Sequence, residues 1–394
     1  MFAHNKRVFG LDALRAFAIL IVVFEHGYSA TFGVNTEGIY GLPIIDGVAM
    51  FFVLSGFLIG RILLKMIAKD DFNGKMLIEF WVRRWFRTLP NYFLVLTLLV
   101  IFIYLSGYPQ PDAAVQYFFF SQNLVSPHPS FFPEAWSLAV EEWFYLITPI
   151  PLYLTTKLRK VDRRHLMLFW ITAVILSVTA FRIYRVYNFG YLTFNDWDYA
   201  IRTQVLTRLD SLMFGVLGAY TSLYNPELWG KAAKKGFIVG ISLLLFDKLY
   251  YIATHSIFYL NHLTLTLTSV GTLLLLPKLS TMKRNSDWIV RTITFISLIS
   301  YSVYLLNLTP VLHIILPVVM RNLMALSWHF NKHAIPIQYI IPMISIMYLI
   351  ITLTASFFLY QYFELPMTAL RNKFHPHDKP VVAAFTDSEA RAKS

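Results

Sequence analysis

The chain has 394 residues, 57% of them hydrophobic and only 14% charged, a balance that excludes an ordinary soluble domain and describes a protein made for lipid. A formal charge of +12 would suit a nucleic-acid binder, but membrane proteins need Lys and Arg at their cytoplasmic ends, so position outweighs total and no nucleic-acid role follows. Cysteine is absent, which removes disulfides, iron–sulfur clusters, zinc–thiolate sites and any cysteinyl acyl intermediate.

Apolar runs long enough to cross the hydrocarbon core number about ten. They cover 8–30, 44–67, 88–106, 138–156, 166–186, 204–222, 236–253, 257–276, 293–316 and 338–362. The fold class expected is an all-α polytopic membrane protein. The first run follows Lys6 and Arg7 as a signal peptide would, yet it is too long, carries ionisable groups and lacks an A-x-A site, so it reads as a retained span.

With the N-terminus in the cytoplasm, nearly all interhelical cations fall on one side. That side holds Lys6 and Arg7; Lys69, Lys75, Arg83, Arg84 and Arg87; "KLRKVDRR"; Lys231, Lys234 and Lys235; "KLSTMKR" with Arg291; and the C-terminal tail. Only Arg202, Arg321 and Lys332 fall opposite. Both termini are therefore expected in the cytoplasm, with the aromatic, Pro-rich loop 107–135 outside. No internal repeat is visible. Residues 1–370 read as one transmembrane unit and 371–394 as a disordered cytoplasmic tail.

The first span, "FGLDALRAFAILIVVFEHGYSATFG", carries Asp12, Arg15, Glu25 and His26. Arg15 and His26 are eleven residues apart, which puts them within about 20° of one helix face and about 16 Å apart along the axis. Charges at such depth must face protein or water. One interpretation is a functional face with a cation at one end and an imidazole at the other; the other is a polar seam that holds helices together.

Before the third span, "FWVRRWFRTLPNYF" sets Arg83, Arg84 and Arg87 beside Trp81, Trp85 and Phe86. Guanidinium forks beside aromatic faces suit phosphates and a purine. Binding of lipid headgroups and setting of topology suit them equally, and from composition alone are favoured.

In "EAWSLAVEEWFYLITPIP", Ser137, Glu141, Tyr145 and Thr148 recur at helical spacing as a polar stripe. Counted from the cytoplasmic anchors, Glu141 lies within about one turn of the depth of His26. A carboxylate there would orient an imidazole and raise its basicity, as a general base requires. Pairing of Glu141 or Glu142 with a neighbouring Arg is the alternative.

These motifs occur together and in order in one known family. The chain resembles the acyltransferase-3 family of bacterial membrane O-acyltransferases, over nearly the whole transmembrane region. "LDALRAFAILIVVFEH" resembles its Arg, ten residues, His pattern, "IDGVAMFFVLSGFLIG" its second helix, "RRWFRTLP" its arginine motif and "WSLAVEEWFYL" its Trp-Ser-Leu-x-x-Glu-x-x-Phe-Tyr motif. "TRLDSLMFGVLGAY" resembles an Arg-x-Asp segment, and "SYSVYLLN" and "FELP" the two final helices. The chain departs from the family at Asn307, where members commonly have His.

The resemblance implies transfer of a short acyl group, usually acetyl, from cytoplasmic acyl-CoA to a hydroxyl of a glycan or other cell-surface or secondary-metabolite acceptor, in the bacterial cytoplasmic (inner) membrane. Acyl-CoA, acetyl-CoA foremost, would be a co-substrate; no tightly bound cofactor and no metal are expected, and membrane lipid is the surrounding partner. His26, Glu141 and Arg15 become the catalytic candidates, and Arg83, Arg84 and Arg87 the donor-binding ones. Asp12, Ser137, Glu142, Arg208 and Asp210 become acceptor or structural candidates. Arg208 and Asp210 are two apart, so they do not face each other on a helix and each needs another partner. A transporter or flippase for a glycan or lipid-linked intermediate is the competing class, although such proteins commonly show two related halves. A polyprenyl-dependent glycosyltransferase is another, distinguished by the substrate consumed.

Overall fold

In the computed structural model, residues 7–42, 45–69, 72–107, 109, 114–156, 162–191, 193–284, 287–331 and 337–374 are described. Among them the chain is all-helical. The principal helices are α1 (Phe9–Phe32), α2 (Gly47–Ile67), α3 (Gly74–Leu105), α4 (Ala135–Ile147), α5 (Pro149–Thr155), α6 (Arg163–Phe189) and α7 (Leu209–Tyr224). They continue with α8 (Pro226–Thr254), α9 (Leu265–Leu279), α10 (Trp288–Leu306), α11 (Leu316–Asn331), α12 (Ile337–Leu359) and α13 (Leu365–Phe374). π-Helical turns over Asn307–Ile315 and Tyr360–Glu364 join α10 to α11 and α12 to α13.

Seven stretches are long and apolar enough to cross a membrane: Gly47–Ile67, Gly74–Leu105, Arg163–Phe189, Pro226–Thr254, Ile257–Leu279, Trp288–Ser327 and Tyr339–Arg371. Each coincides with a run read from the sequence. Several helices extend well beyond those runs, because their ends are polar turns that hydropathy passes over. The arginine segment is one such extension: Asn73 accepts from the backbone N–H of Lys75 at 3.0 Å and starts α3 there, so Arg83, Arg84 and Arg87 ride on the spanning helix itself.

The remaining three runs take other forms. α1 is 24 residues long, about 36 Å of helix, but is broken in composition by its charges. It ends where Gly33 adopts a left-handed φ of 64° that only a residue without a Cβ takes freely. The run 138–156 divides at Thr148 into α4 and α5, where Pro149 removes a backbone donor. The run 204–222 is helical only from Leu209, because 203–205 is bound sideways: the Asn123 side chain donates to the Thr203 carbonyl at 2.6 Å, and Val205 N–H donates to the Asn123 carbonyl at 3.0 Å. Asn123, Gln122, Tyr117 and Phe132 of the described part of loop 107–135 are fully buried, so the loop folds back into the protein. α13 runs to Phe374, four residues past the boundary read at 370; the expected disordered tail from 375 onward lies outside the described residues.

At the centre, α2 and α7 touch backbone to backbone. A Cβ on Gly56 would lie 1.9 Å from the Leu212 carbonyl oxygen, and one on Gly215 would lie 2.1 Å from that of Val53. Small residues at a crossing are how membrane helices gain close packing, since lipid gives no hydrophobic drive between them. Gly56→Ala is therefore expected to destabilise by at least about 1–3 kcal/mol, the usual range for overpacking. Gly230 of α8 has nothing within 4 Å of a built Cβ, so Gly230→Ala should be neutral or slightly stabilising. Thermal unfolding of both variants in one detergent checks this; equal melting temperatures would contradict the close crossing.

Candidate active site

α1 separates a polar face from a lipid face. Phe17, Leu20 and Phe24 are exposed, while Arg15 and His26 are half-buried on the opposite side. From Arg15, the three aromatic and aliphatic positions lie at about 200°, 140° and 180° around the helix. The charges of the first span are thus turned away from the lipid.

At the His26 end, the imidazole Nδ1 lies 2.5 Å from Asn307 Oδ1. The Asn307 amide donates its two hydrogens to the carbonyls of Val303 at 2.9 Å and Tyr304 at 2.8 Å. Oδ1 is left as the acceptor, so Nδ1 of His26 carries the hydrogen and Nε2 keeps its lone pair in the neutral ring. The Tyr348 hydroxyl also donates to Oδ1, at 3.3 Å. Asn307 opens the π-helical turn Asn307–Ile315, which contains Pro310, and is fully buried. Such turns occur often at functional sites because the widened backbone re-aims side chains.

Glu141 is not brought to His26. It accepts from Ser55 of α2 at 2.8 Å and from the Tyr145 hydroxyl, one turn along α4, at 2.9 Å. Matching depth along the membrane normal said nothing about which way around α4 the carboxylate pointed, and it points at α2. Glu142 accepts from Thr88 of α3 at 2.7 Å. Ser137 lies 2.6 Å from the Tyr304 hydroxyl of α10. The stripe, together with Glu142 beside it, therefore stitches α4 to three different helices.

At the other end of α1, guanidinium groups converge from α1, α3 and α13. Arg15 lies within electrostatic reach of Arg87, Arg7 and Arg84, Arg87 within that of Arg84 and Arg7, and Arg371 within that of Arg83 and Arg84. Arg84 also lies over the Tyr145 ring, 4.6 Å from its centroid. Arg15 and Arg87 have no side-chain hydrogen bond to another described residue. The carboxylates nearby are engaged: Asp12 takes Arg7 in a paired contact and Ser297 at 2.9 Å, and Glu364 accepts from Asn91 at 3.0 Å and Ser302 at 2.6 Å. Like charges held together this way suit a polyanion that lies among them.

Deeper in the bundle, Asp210 is paired with Arg182 of α6 at 2.7 Å, and both are fully buried. Arg182 also donates to Thr266 at 2.9 Å. Arg208 does not pair with Asp210. Its guanidinium is fully buried, 5.3 Å over the Phe52 ring, and none of its three nitrogens has a hydrogen-bond partner among the described residues. Glu25 lies within reach of Lys248, whose ammonium sits 3.3 Å from the centroid of the Tyr40 ring. Among the described residues no group of three or more His, Asp or Glu is arranged to hold a metal ion.

Sequence reasoning missed Asn307 as the partner of His26, Arg182 as the partner of Asp210, and Arg7 and Arg371 as members of the arginine cluster. Arg7 was legible as a charge at a helix end, whereas Arg371 was assigned to the disordered tail and proved to lie on α13; nothing local marked where they would meet.

A family model described as an acyltransferase domain matches residues 8–361. The chain belongs to the acyltransferase-3 family. Within that acyltransferase-3 match lie α1 with Arg15 and His26, the arginine segment of α3, and Asn307. Among curated relatives, the peptidoglycan O-acetyltransferase OatA of Listeria monocytogenes is 33% identical over 163 residues, 37% of this chain and 24% of that protein. The O-acetyltransferase OatA of Staphylococcus aureus is 28% identical over 255 residues, 60% of this chain and 38% of that protein. The chain therefore spans only about a quarter to two fifths of the curated relatives it matches. No solved structure matches.

Proposed function

We propose that this acyltransferase-3 protein is a membrane O-acetyltransferase that moves an acetyl group from cytoplasmic acetyl-CoA to a hydroxyl of a cell-wall or other surface glycan. The observation that carries the proposal is the polarity of α1: a cluster of arginines towards one end and, towards the other, an oriented imidazole about 16 Å from Arg15. CoA has the same polarity, with its phosphates at one end and its thioester at the tip of a long thin arm.

In this reading Arg84 and Arg87, with Arg83, Arg15, Arg7 and Arg371 around them, hold the phosphates, and Trp81 and Trp85, stacked 6.5 Å apart, offer faces to the purine. The pantetheine arm runs along the polar face of α1. His26, its Nδ1–H held by Asn307, takes the acceptor hydroxyl proton at Nε2 as the oxygen attacks the thioester carbonyl. The C–O bond forms, the C–S bond breaks, and the proton passes to the leaving CoA thiolate. The names of the relatives favour a glycan acceptor, as the Listeria protein is named for peptidoglycan. About ten spans, counting α1, the α4–α5 pair and α7 with the seven apolar stretches, and both termini in the cytoplasm, put the arginines on the donor side.

Purified protein in nanodiscs, given acetyl-CoA and an oligosaccharide of N-acetylglucosamine and N-acetylmuramic acid, should release CoA and form a base-labile ester in equal amounts. Binding of the glycan without CoA release, or its movement across a vesicle, would favour the transporter class instead.

A further inference from the structure

The π-helical turn that carries Asn307 is fixed from outside its own helix. Glu134 immediately precedes α4 and is buried. Its Oε1 accepts the backbone N–H of Thr309 at 2.9 Å, and its Oε2 accepts the Thr309 hydroxyl at 2.6 Å. Its own backbone carbonyl accepts from the Tyr304 hydroxyl at 3.0 Å, the same hydroxyl that Ser137 reaches. Tyr304 and Thr309 bracket Asn307, so Glu134 holds the turn on both sides of the residue that orients the imidazole.

The chemistry of this grip is specific. A widened turn leaves backbone donors without their usual acceptor, and Pro310 interrupts the ladder further. One carboxyl group answers both donors of Thr309, one with each oxygen. Nothing in the bonding requires a carboxylate for α10 to be helical; what it fixes is where the turn sits against the start of α4.

We infer that Glu134 is a positioning residue for acyl transfer: by clamping Thr309 and Tyr304 it sets Asn307, and through Asn307 the direction in which Nε2 of His26 points. The inference rests on His26 being the base of the proposed function. Misplacement of a reacting group by about 1 Å costs on the order of 100-fold in rate. In the proposed function the donor phosphates bind at the arginine cluster, about 16 Å away along α1, so the loss falls on kcat and spares the KM for acetyl-CoA.

The test uses full-length protein in nanodiscs with acetyl-CoA and the N-acetylglucosamine–N-acetylmuramic acid oligosaccharide as probes. Glu134→Leu keeps about the size of the side chain but removes both acceptors that Thr309 uses. It is expected to lower kcat by roughly 10- to 100-fold with the KM for acetyl-CoA within about twofold. Thr309→Val removes only the hydroxyl and should lower kcat in the same sense, whereas Thr309→Ser should restore it. The Val and Ser pair decides the matter if Glu134→Leu fails to fold. Unchanged kcat in Glu134→Leu and in Thr309→Val, in a protein that His26→Ala inactivates, would overturn the positioning role. Parallel loss of kcat, donor affinity and melting temperature would do the same, by making the clamp merely structural. An active His26→Ala would instead remove the base on which the inference rests.

Discussion

His26→Ala is expected to abolish measurable acetyl transfer while the protein still inserts, melts normally and binds CoA. A positioned general base contributes typically 10²–10⁴-fold, so kcat should fall by at least about 100-fold. Donor binding should survive because the arginine cluster sits at the far end of α1 and shares no hydrogen bond with the imidazole. Glu141→Gln, by contrast, should behave as a packing variant. Its carboxylate is bound to Ser55 and Tyr145, and its loss should move the melting temperature more than kcat. A well-folded His26→Ala protein with near-native turnover would return the charges of α1 to the role of a polar seam.

The second large effect belongs to the arginines. A hydrogen bond to a charged group contributes about 1.5–3 kcal/mol, so Arg87→Gln should raise the KM for acetyl-CoA by roughly 10- to 100-fold. Arg84→Gln should do so as well, with an added loss of packing because its guanidinium lies over the Tyr145 ring. Neither should change the affinity for the glycan probe. Steady-state kinetics with each substrate varied in turn, alongside the yield of protein recovered from the membrane, separates the outcomes. Lower yield with unchanged KM would mean that these arginines set topology and bind headgroups only.

What the sequence disclosed, and what it concealed, divides along physical lines. The common face of Arg15 and His26 was legible because helical periodicity is a property of the local chain, and the exposure of Phe17, Leu20 and Phe24 on the opposite side agrees with it. Seven of the apolar runs were legible because hydropathy is a local sum. The partner of His26 was not. Glu141 matched it in depth, but depth leaves the azimuth of α4 free. Asn307 lies 281 positions away, in a π-helical turn where counting by 3.6 residues gives the wrong face. Glu134 was hidden for a related reason: it precedes its helix, so it belongs to no stripe, and its partner Thr309 is 175 positions further on. For Arg208 and Asp210 the spacing said that each needed a different partner. Arg182 then proved to be the partner of Asp210, while Arg208 found an aromatic face.

The sidedness of the reaction separates transfer along α1 from chemistry confined to one face of the membrane. In sealed proteoliposomes with a defined protein orientation, acetyl-CoA is supplied on the side of Arg83, Arg84 and Arg87, and the oligosaccharide of N-acetylglucosamine and N-acetylmuramic acid on the side of His26. CoA does not cross the bilayer, so α1 must connect the two compartments for any ester to form. Acetylated oligosaccharide is expected only in the compartment facing His26, with free CoA released only in the other. Ester formed only when donor and acceptor share one compartment would contradict transfer along α1.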